Sequence, residues 1–176
     1  MIFKEIELPG AYLIELQQFQ DDRGFFARSF CTAEFEKAGL HASYAQQNTS
    51  NNLKKGTLRG FHWQTPPHEE VKIMRCVRGA IFSVIVDVRP DSPTYTQWRG
   101  FELSADNRLQ LYVPAGFANG YLSLEDGAEV TYFASRPYAP GAEKGLRFDD
   151  SAIGIKFPIE PVIVSDKDRS WPDFAR

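Results

Sequence analysis

The chain has 176 residues, 43% hydrophobic and 24% charged, with a formal net charge of −3 at pH 7. That length suits one domain with a full core and is short for two, and the acidic balance argues against nonspecific nucleic-acid binding, which needs a basic surface. No segment approaches the roughly 20 apolar residues of a membrane span and the first residues carry acids rather than a signal-like apolar run, so a single cytoplasmic domain over residues 1–176, with no membrane partner, is expected.

Short runs rich in Val, Ile, Phe and Tyr recur about every ten residues, which is the rhythm of a β-sandwich or barrel. In chain order they are Ala11–Leu16, Lys72–Val77, Ala80–Val88, Trp98–Leu103, Leu109–Val113, Gly120–Leu124 and Ala128–Phe133. Turn residues punctuate them at Arg78-Gly79, Pro90–Pro93, Pro114–Gly116 and Asp126-Gly127. One helix is expected, from Thr32 to Ala38, with Thr32 as its cap, Glu34 and Glu36 near its start and Gly39 as its stop. The last forty or so residues read as short strands and loops with Trp171-Pro172 near the end. Cys31 and Cys76 lie far apart without metal-ligand spacing, and the expectation is two reduced thiols.

The stretch from Gln46 to Cys76 is the most informative. It sets His62 between Arg59 and Lys72 in a period-2 pattern, so the three can converge on one cavity from two adjacent strands. An imidazole beside a lysine suits proton abstraction next to a carbonyl, with the ammonium holding the enolate oxygen. Pro114–Asn119 has the outline of the P-x-G-x-x-H turn of cupin jelly rolls, with Asn119 where a histidine usually stands. Metal-binding cupins need about three histidines and a glutamate. This chain has three histidines in all, His41, His62 and His68, and His68 sits between a Pro-Pro and a Glu-Glu pair as an exposed turn would. The expected fold is therefore an all-β, cupin-type jelly roll with minor short helices, and neither a metal nor another cofactor is expected.

With those residues in hand, the chain resembles the dTDP-4-dehydrorhamnose 3,5-epimerase family over nearly its whole length. The matching blocks, in order, are Asp22–Phe26, Gln46-x-Asn48-x-Ser50, Gly56-x-Leu-Arg59-Gly-x-His62-x-Gln64, Lys72, Asp87-x-Arg89, Ser92–Thr94, Leu103-Ser-x-x-Asn107, Tyr132, Tyr138 and Ser165-x-Lys167-Asp168-Arg169. The resemblance implies a jelly roll that dimerises by exchanging N-terminal segments and acts on a nucleotide-diphospho-4-keto-6-deoxy sugar. His62 is then the general base, oriented by Asp168 in the manner of other His–Asp pairs. Lys72 neutralises the C4 oxyanion, and Tyr132 returns a proton on the opposite face of the ring. Arg59 pairs with the diphosphate, as a planar fork of donors can. Arg23 and Phe26 reach the partner subunit's nucleotide, Gln46 and Asn48 contact base or sugar, and Tyr138 forms a wall. Nothing need be oxidised in that chemistry, so the absence of a Gly-x-Gly-x-x-Gly fingerprint from this sequence fits.

Two positions depart from the family pattern. Asn119 replaces histidine near the keto oxygen and keeps a hydrogen-bond donor without a charge, which shifts oxyanion stabilisation towards Lys72 and bears on whether one centre or two are inverted. Arg28 stands where the family has an acid in the nucleotide region, which opens GDP- or CDP-linked sugars beside the thymidine-linked ones. Two other readings use the same scaffold: a sugar-nucleotide 3,4-ketoisomerase working through an enediol, and a non-catalytic sugar-nucleotide-binding cupin. A base paired with an acid argues against the second, since binding alone requires neither.

Overall fold

In a computed structural model of the chain, residues 1–174 are described. The elements in order are β1 (Ile2–Glu5), β2 (Tyr12–Glu15), β3 (Gln18–Asp21), β4 (Gly24–Ala27), α1 (Thr32–Lys37), β5 (Gln46–Asn52), β6 (Thr57–Gln64), β7 (Lys72–Arg78) and β8 (Ala80–Asp87). They continue with β9 (Trp98–Ser104), β10 (Gln110–Val113), β11 (Phe117–Ser123), β12 (Ala128–Ala134), β13 (Glu143–Gly145), β14 (Ile163–Val164) and α2 (Asp166–Arg169). One sheet runs β1-β2-β10-β7-β12-β5, and the facing sheet runs β13-β6-β11-β8-β9 with β14 paired to β6. This is the cupin jelly roll that the strand rhythm and the Pro114–Asn119 turn predict.

Strand alternation explains the layers. On β7, Met74 and Cys76 face inward to meet Ile81 and Ile85 of β8, with Leu103, Leu111, Val113, Phe117 and Val130 completing the core between the sheets. Ile73, one residue before Met74, faces the other way and packs with Tyr112 and Ile14 beneath Phe35 of α1. The outer face of the second sheet, with Phe61, Val84, Val86 and Ala118, is covered by Leu146 and Ile153 of the C-terminal segment. Each large side chain buried this fully contributes about 1.5–3 kcal/mol. Residues whose neighbours on both faces are covered, as in β8, read as an unbroken apolar run rather than an alternating one.

The helix differs in detail from its sequence signature. Cys31, not Thr32, is the N-cap, it makes no side-chain capping bond, and the helix ends at Lys37 with Ala38 as C-cap. Its start is held instead by Glu34, which accepts from the N-terminal ammonium of Met1 at 2.7 Å and from Arg28 at 2.9 Å. The expected strands over 109–113 and 120–124 begin and end elsewhere, at Gln110–Val113 and Phe117–Ser123, so Asn119 lies inside β11 rather than at the end of a turn. The C-terminal run Asp166–Arg169, which its charge alone marks as a solvated turn, is the helical turn α2. Cys31 and Cys76 are unpaired, and burial raises the Cys76 thiol above its ordinary range.

Several family-like blocks hold turns. Asp87 is fully buried and accepts from Arg89 Nε and Nη2, Ser92 Oγ and Thr94 Oγ1 at 2.5–2.9 Å. Burial alone would push its carboxyl up, but those donors hold it below the ordinary range. Ser104 and Asn107 bond reciprocally, backbone to side chain, at 3.0 Å each. Among the described residues no helix is long and apolar enough to cross a membrane.

Candidate active site

A cavity of about 500 Å³ opens between the two sheets, lined by Arg59, His62, Lys72, Asn119, Tyr132, Lys167 and Asp168 among others. A second lobe of about 290 Å³ adjoins it, lined by Gln46, Asn48, Gln64, Glu70, Tyr138 and Glu143. His62, Lys72 and Tyr132 line both lobes and so mark their junction. The sheets divide them: His62 comes from β6 in the second sheet, and Lys72 and Tyr132 from β7 and β12 in the first. The expectation of two adjacent strands is thus corrected, because β6 and β7 sit in facing sheets joined by the loop from Thr65 to Val71.

Plain alternation would send Arg59 and His62 to opposite faces, since they are three residues apart. A bulge resolves this. Asn119 pairs with His62 and Tyr121 with Arg59, so three steps along β6 match two along β11. Gly60 occupies the bulge with φ +117°, and a Cβ there would lie 2.6 Å from Gly120 Cα, so only glycine fits. Both the guanidinium and the imidazole can then face the cavity.

Asp168 reaches His62 because β14 runs parallel to the first half of β6, Ile163 beside Thr57 and Val164 beside Leu58. Ser165 then caps α2 by accepting from the Asp168 N–H at 3.2 Å. Asp168 is 4% exposed, and its Oδ1 accepts from His62 Nε2 at 2.5 Å while Oδ2 accepts from the Gly60 N–H at 3.4 Å. Burial raises its carboxyl, yet the hydrogen bond and charge of His62, with help from Ser165 and Gly60, outweigh that and hold it below the ordinary carboxylate range. An ionised Asp168 only accepts, so Nε2 carries a proton, and in the neutral imidazole Nδ1 is the nitrogen left to accept one. Nδ1 lies 3.7 Å from Glu143 Oε1, too far for a hydrogen bond.

On the facing sheet, Tyr132 stands across from Asn48 on one side and Met74 on the other. Burial raises its phenol above the usual range, reinforced by Tyr121 and Glu70 and partly offset by a hydrogen bond with Asn48 and the charge of Arg59. A phenol so raised stays protonated at neutral pH and can donate. Lys72 Nζ donates to Glu70 Oε1 at 2.8 Å. Arg59 donates from Nε to Asn52 Oδ1 at 2.9 Å, and Asn119 donates from Nδ2 to Val84 O at 3.3 Å.

Three expected site residues lie apart from these lobes. Arg23 pairs with Asp21 of its own hairpin, Phe26 is 70% exposed, and Arg28 pairs with Glu34. The hairpin β3–β4 that carries the first two pairs with neither main sheet. Conversely, Glu70 and Glu143 line the smaller lobe though neither belongs to a family-like block, and Lys167, which does, lines the larger one. Lys167 pairs with Glu143, and Tyr138 Oη donates to Glu143 at 3.5 Å. A signal existed for Glu70, two residues before Lys72 and so on the same side of an extended chain; Glu143 belongs to no motif. Of the other two histidines, His41 bonds Ser43 O at 2.5 Å beside Tyr44, and His68 follows the Pro66-Pro67 turn.

The fold and this cavity define a jelly-roll protein with a histidine–carboxylate pair on one wall and a lysine and a tyrosine on the other. Comparison with known proteins gives the family: residues 5–176 match the model of the dTDP-4-dehydrorhamnose 3,5-epimerase family, and the chain belongs to it. It is thereby an isomerase of the nucleotide-sugar epimerase kind. It is 42% identical over 170 residues to the dTDP-4-dehydrorhamnose 3,5-epimerase of Shigella flexneri, covering 96% of this chain and 93% of that one. The crystal structure of the Bacillus anthracis enzyme of that name, with TDP and PPi bound, superposes with a TM-score of 0.94 at 40% identity, covering 98% and 99% of the two chains. A 3'-monoepimerase from Streptomyces bikiniensis in complex with dTDP-quinovose gives 0.89 at 35% identity, covering 97% and 86%.

Proposed function

We propose that this protein inverts C3, C5 or both in a dTDP-linked 4-keto-6-deoxy sugar, as one cytoplasmic domain that needs no cofactor. The observation that carries the reading is the split of His62 and Tyr132 between facing sheets at the junction of the two lobes. A sugar ring lying between the sheets has the base on one face and the acid on the other, which is what inversion requires.

The chemistry follows from the ketone. C3 and C5 both flank C4, so either hydrogen is acidified by the same carbonyl. His62 Nδ1 takes the C–H proton, the electron pair moves onto the C4 oxygen, and Lys72 stabilises the enolate that forms. Tyr132 then donates its phenolic proton to carbon from the opposite face, and the phenolate recovers a proton from solvent. Asp168 keeps the imidazole in the Nε2–H tautomer and stabilises the imidazolium. Arg59 meets the diphosphate, Gln46 and Asn48 contact sugar or base, and Tyr138 walls the smaller lobe.

Asn119 spends one N–H on Val84 O and carries no charge, so the C4 oxygen depends on Lys72. That observation favours a second reading in which a single centre is inverted, as the name of the Streptomyces relative says of that protein. We also propose a homodimer in which the exposed β3–β4 hairpin crosses to deliver Arg23 and Phe26 to the partner copy's nucleotide.

The test is solvent exchange. Incubation with the dTDP-linked 4-keto-6-deoxy sugar in D2O is expected to place deuterium at C3, C5 or both, and His62→Ala to slow it by ~10²–10⁴. A 3-keto product would indicate the ketoisomerase instead, and binding without exchange in the wild type would leave the non-catalytic cupin.

A further inference from the structure

Trp171 lies three residues beyond Asp168 and has no part in the chemistry above. Its indole occupies the space where Gly145 lacks a side chain: a Cβ on Gly145 would stand 2.1 Å from Trp171 Cε2 and 2.3 Å from Nε1. Gly145 is the register partner of His62 across the β13–β6 ladder. The indole consequently sits beside the imidazole, ring centroids 6.1 Å apart at 62°, in an edge-to-face contact. Lys167 Nζ lies 5.9 Å from the centre of the same ring.

The indole Nε1–H is buried and has no hydrogen-bond partner among the described residues. Such a group is a cost, so the position is held by the shape of the ring and not by its polar atom. Beyond Trp171 the chain is tied down again, by the ion pair of Asp173 with Arg147 at 2.9 Å and by Phe174 N–H donating to Asp150 Oδ2 at 2.6 Å. Upstream it is tied by β14 on β6. Between these anchors, α2 is a single turn, too short to fix its own height above β6 by internal hydrogen bonds alone.

We propose that Trp171 is a positioning residue for the His62–Asp168 pair. Seated in the Gly145 notch, it sets the distance of α2 from β6 and backs the imidazole, so that the carboxylate and the ring stay in bonding register. Displacing it loosens both members of the pair at once. The proposal rests on the epimerase reading only for its kinetic consequence.

The test uses Trp171→Ala, Trp171→Phe and Gly145→Ala in the full-length protein. Gly145 does not have a positive φ, so alanine there meets no backbone strain, and the three atoms nearest its Cβ all belong to the indole. The first readout is the downfield imidazole N–H proton of the His62–Asp168 hydrogen bond in the ligand-free protein. It should vanish in Trp171→Ala and Gly145→Ala and persist in Trp171→Phe. Kinetically, the first two should lower kcat by roughly 10–100-fold, the scale of a small misplacement of a reacting group, with KM little changed, and phenylalanine should rescue. Gly145→Ala should add nothing once Trp171 is alanine, and Trp171→Ala should add little in an Asp168→Asn background. Retention of the proton signal in both Gly145→Ala and Trp171→Ala, or full multiplicative loss on top of Asp168→Asn, overturns the proposal. The proton signal decides it even if the wild type turns over no 4-keto sugar, a result that would strike the reaction reading alone. If Trp171→Ala fails to fold, Gly145→Ala and Trp171→Phe still decide: signal lost in the first and kept in the second supports it, and any other pairing refutes it.

Discussion

Lys72 and Glu70 form an ion pair with side chains only 15% and 11% exposed, at the junction where the sugar ring is proposed to lie. Glu70 Oε2 also accepts from Gln64 Nε2 at 3.3 Å, and Gln64 Oε1 accepts from the Ala139 N–H at 2.7 Å, beside Tyr138. The cation proposed for the C4 oxygen is therefore held by a chain of polar contacts reaching the loop beside the smaller lobe. Removing one partner of a buried pair leaves the other charge uncompensated, at a cost on the order of 3–5 kcal/mol. Glu70→Ala is expected to lower the unfolding free energy measured by urea denaturation by an amount in that range or somewhat below it, and to reduce kcat more than it raises KM. Glu70→Gln, which keeps the hydrogen bond, should recover part of the stability and less of the rate. Unchanged kcat in both variants would separate Glu70 from the catalytic cation.

The pH dependence has two limbs with opposite origins. Asp168 has its folded-state pKa depressed, so its contribution to stability is complete above the unfolded value of about 3.9 and is lost as pH falls through the folded value. Urea denaturation from pH 6 downwards should show Asp168→Asn flattening that acid-side fall. Tyr132 has its phenol raised above the usual range, so it keeps its proton through neutral and mildly alkaline pH. The alkaline decline of kcat due to its ionisation should lie above about pH 10 and be absent in Tyr132→Phe, whose kcat is lower throughout. An alkaline limb unchanged in Tyr132→Phe would assign it to another group.

Much of this site is legible from strand chemistry alone. His62, Lys72 and Arg59 stand out because polar, titratable side chains interrupt apolar strands, and they do share a cavity. That β6 and β7 face each other across the sandwich is not legible, since the pairing partners of a strand depend on residues far away in the chain. Asp168 is identified by resemblance only; its run of alternating charges gives no sign that β14 will carry it to a buried position. Resemblance also groups residues with unlike roles: Asp87, Ser92 and Thr94 match the family as well as His62 does, yet they satisfy a buried carboxylate at a turn. Glu143 has no flanking pattern at all, because β13 is three residues long and takes its place from β6.

Arg28 gives the clearest divergence between sequence and structure. Its departure from the family suggests a base selector, whereas within one protomer its guanidinium is engaged by Glu34. Calorimetry of TDP, GDP and CDP with Arg28→Glu is expected to leave the wild-type order of affinities, TDP first, unchanged. The substitution places two carboxylates side by side and should loosen the start of α1, seen as faster amide exchange there. A reordering of the nucleotides on mutation would instead bring Arg28 to the base.

The dimer is tested by complementation. Phe19 and Phe26 pair across the β3–β4 ribbon and are 69% and 70% exposed, an apolar surface that the single chain leaves uncovered. If the ribbon completes the partner copy's site, His62→Ala and Arg23→Ala proteins, each inactive or weak alone, should regain activity when unfolded and refolded together. Random pairing restores about a quarter of the sites in an equal mixture. No recovery, together with sedimentation of a fully active monomer, would refute the exchanged arrangement.

The bulge at Gly60 makes β6 behave like text read in two frames. Before it, the cavity sees Arg59; after it, the cavity sees His62, with Phe61 turned to the outer layer. Deleting the one extra residue would restore strict alternation and leave Arg59 or His62 inside, never both. Among residues facing this cavity, spacing is therefore a constraint independent of identity. A homologous strand could retain arginine and histidine and still be inert if it had lost a single glycine between them.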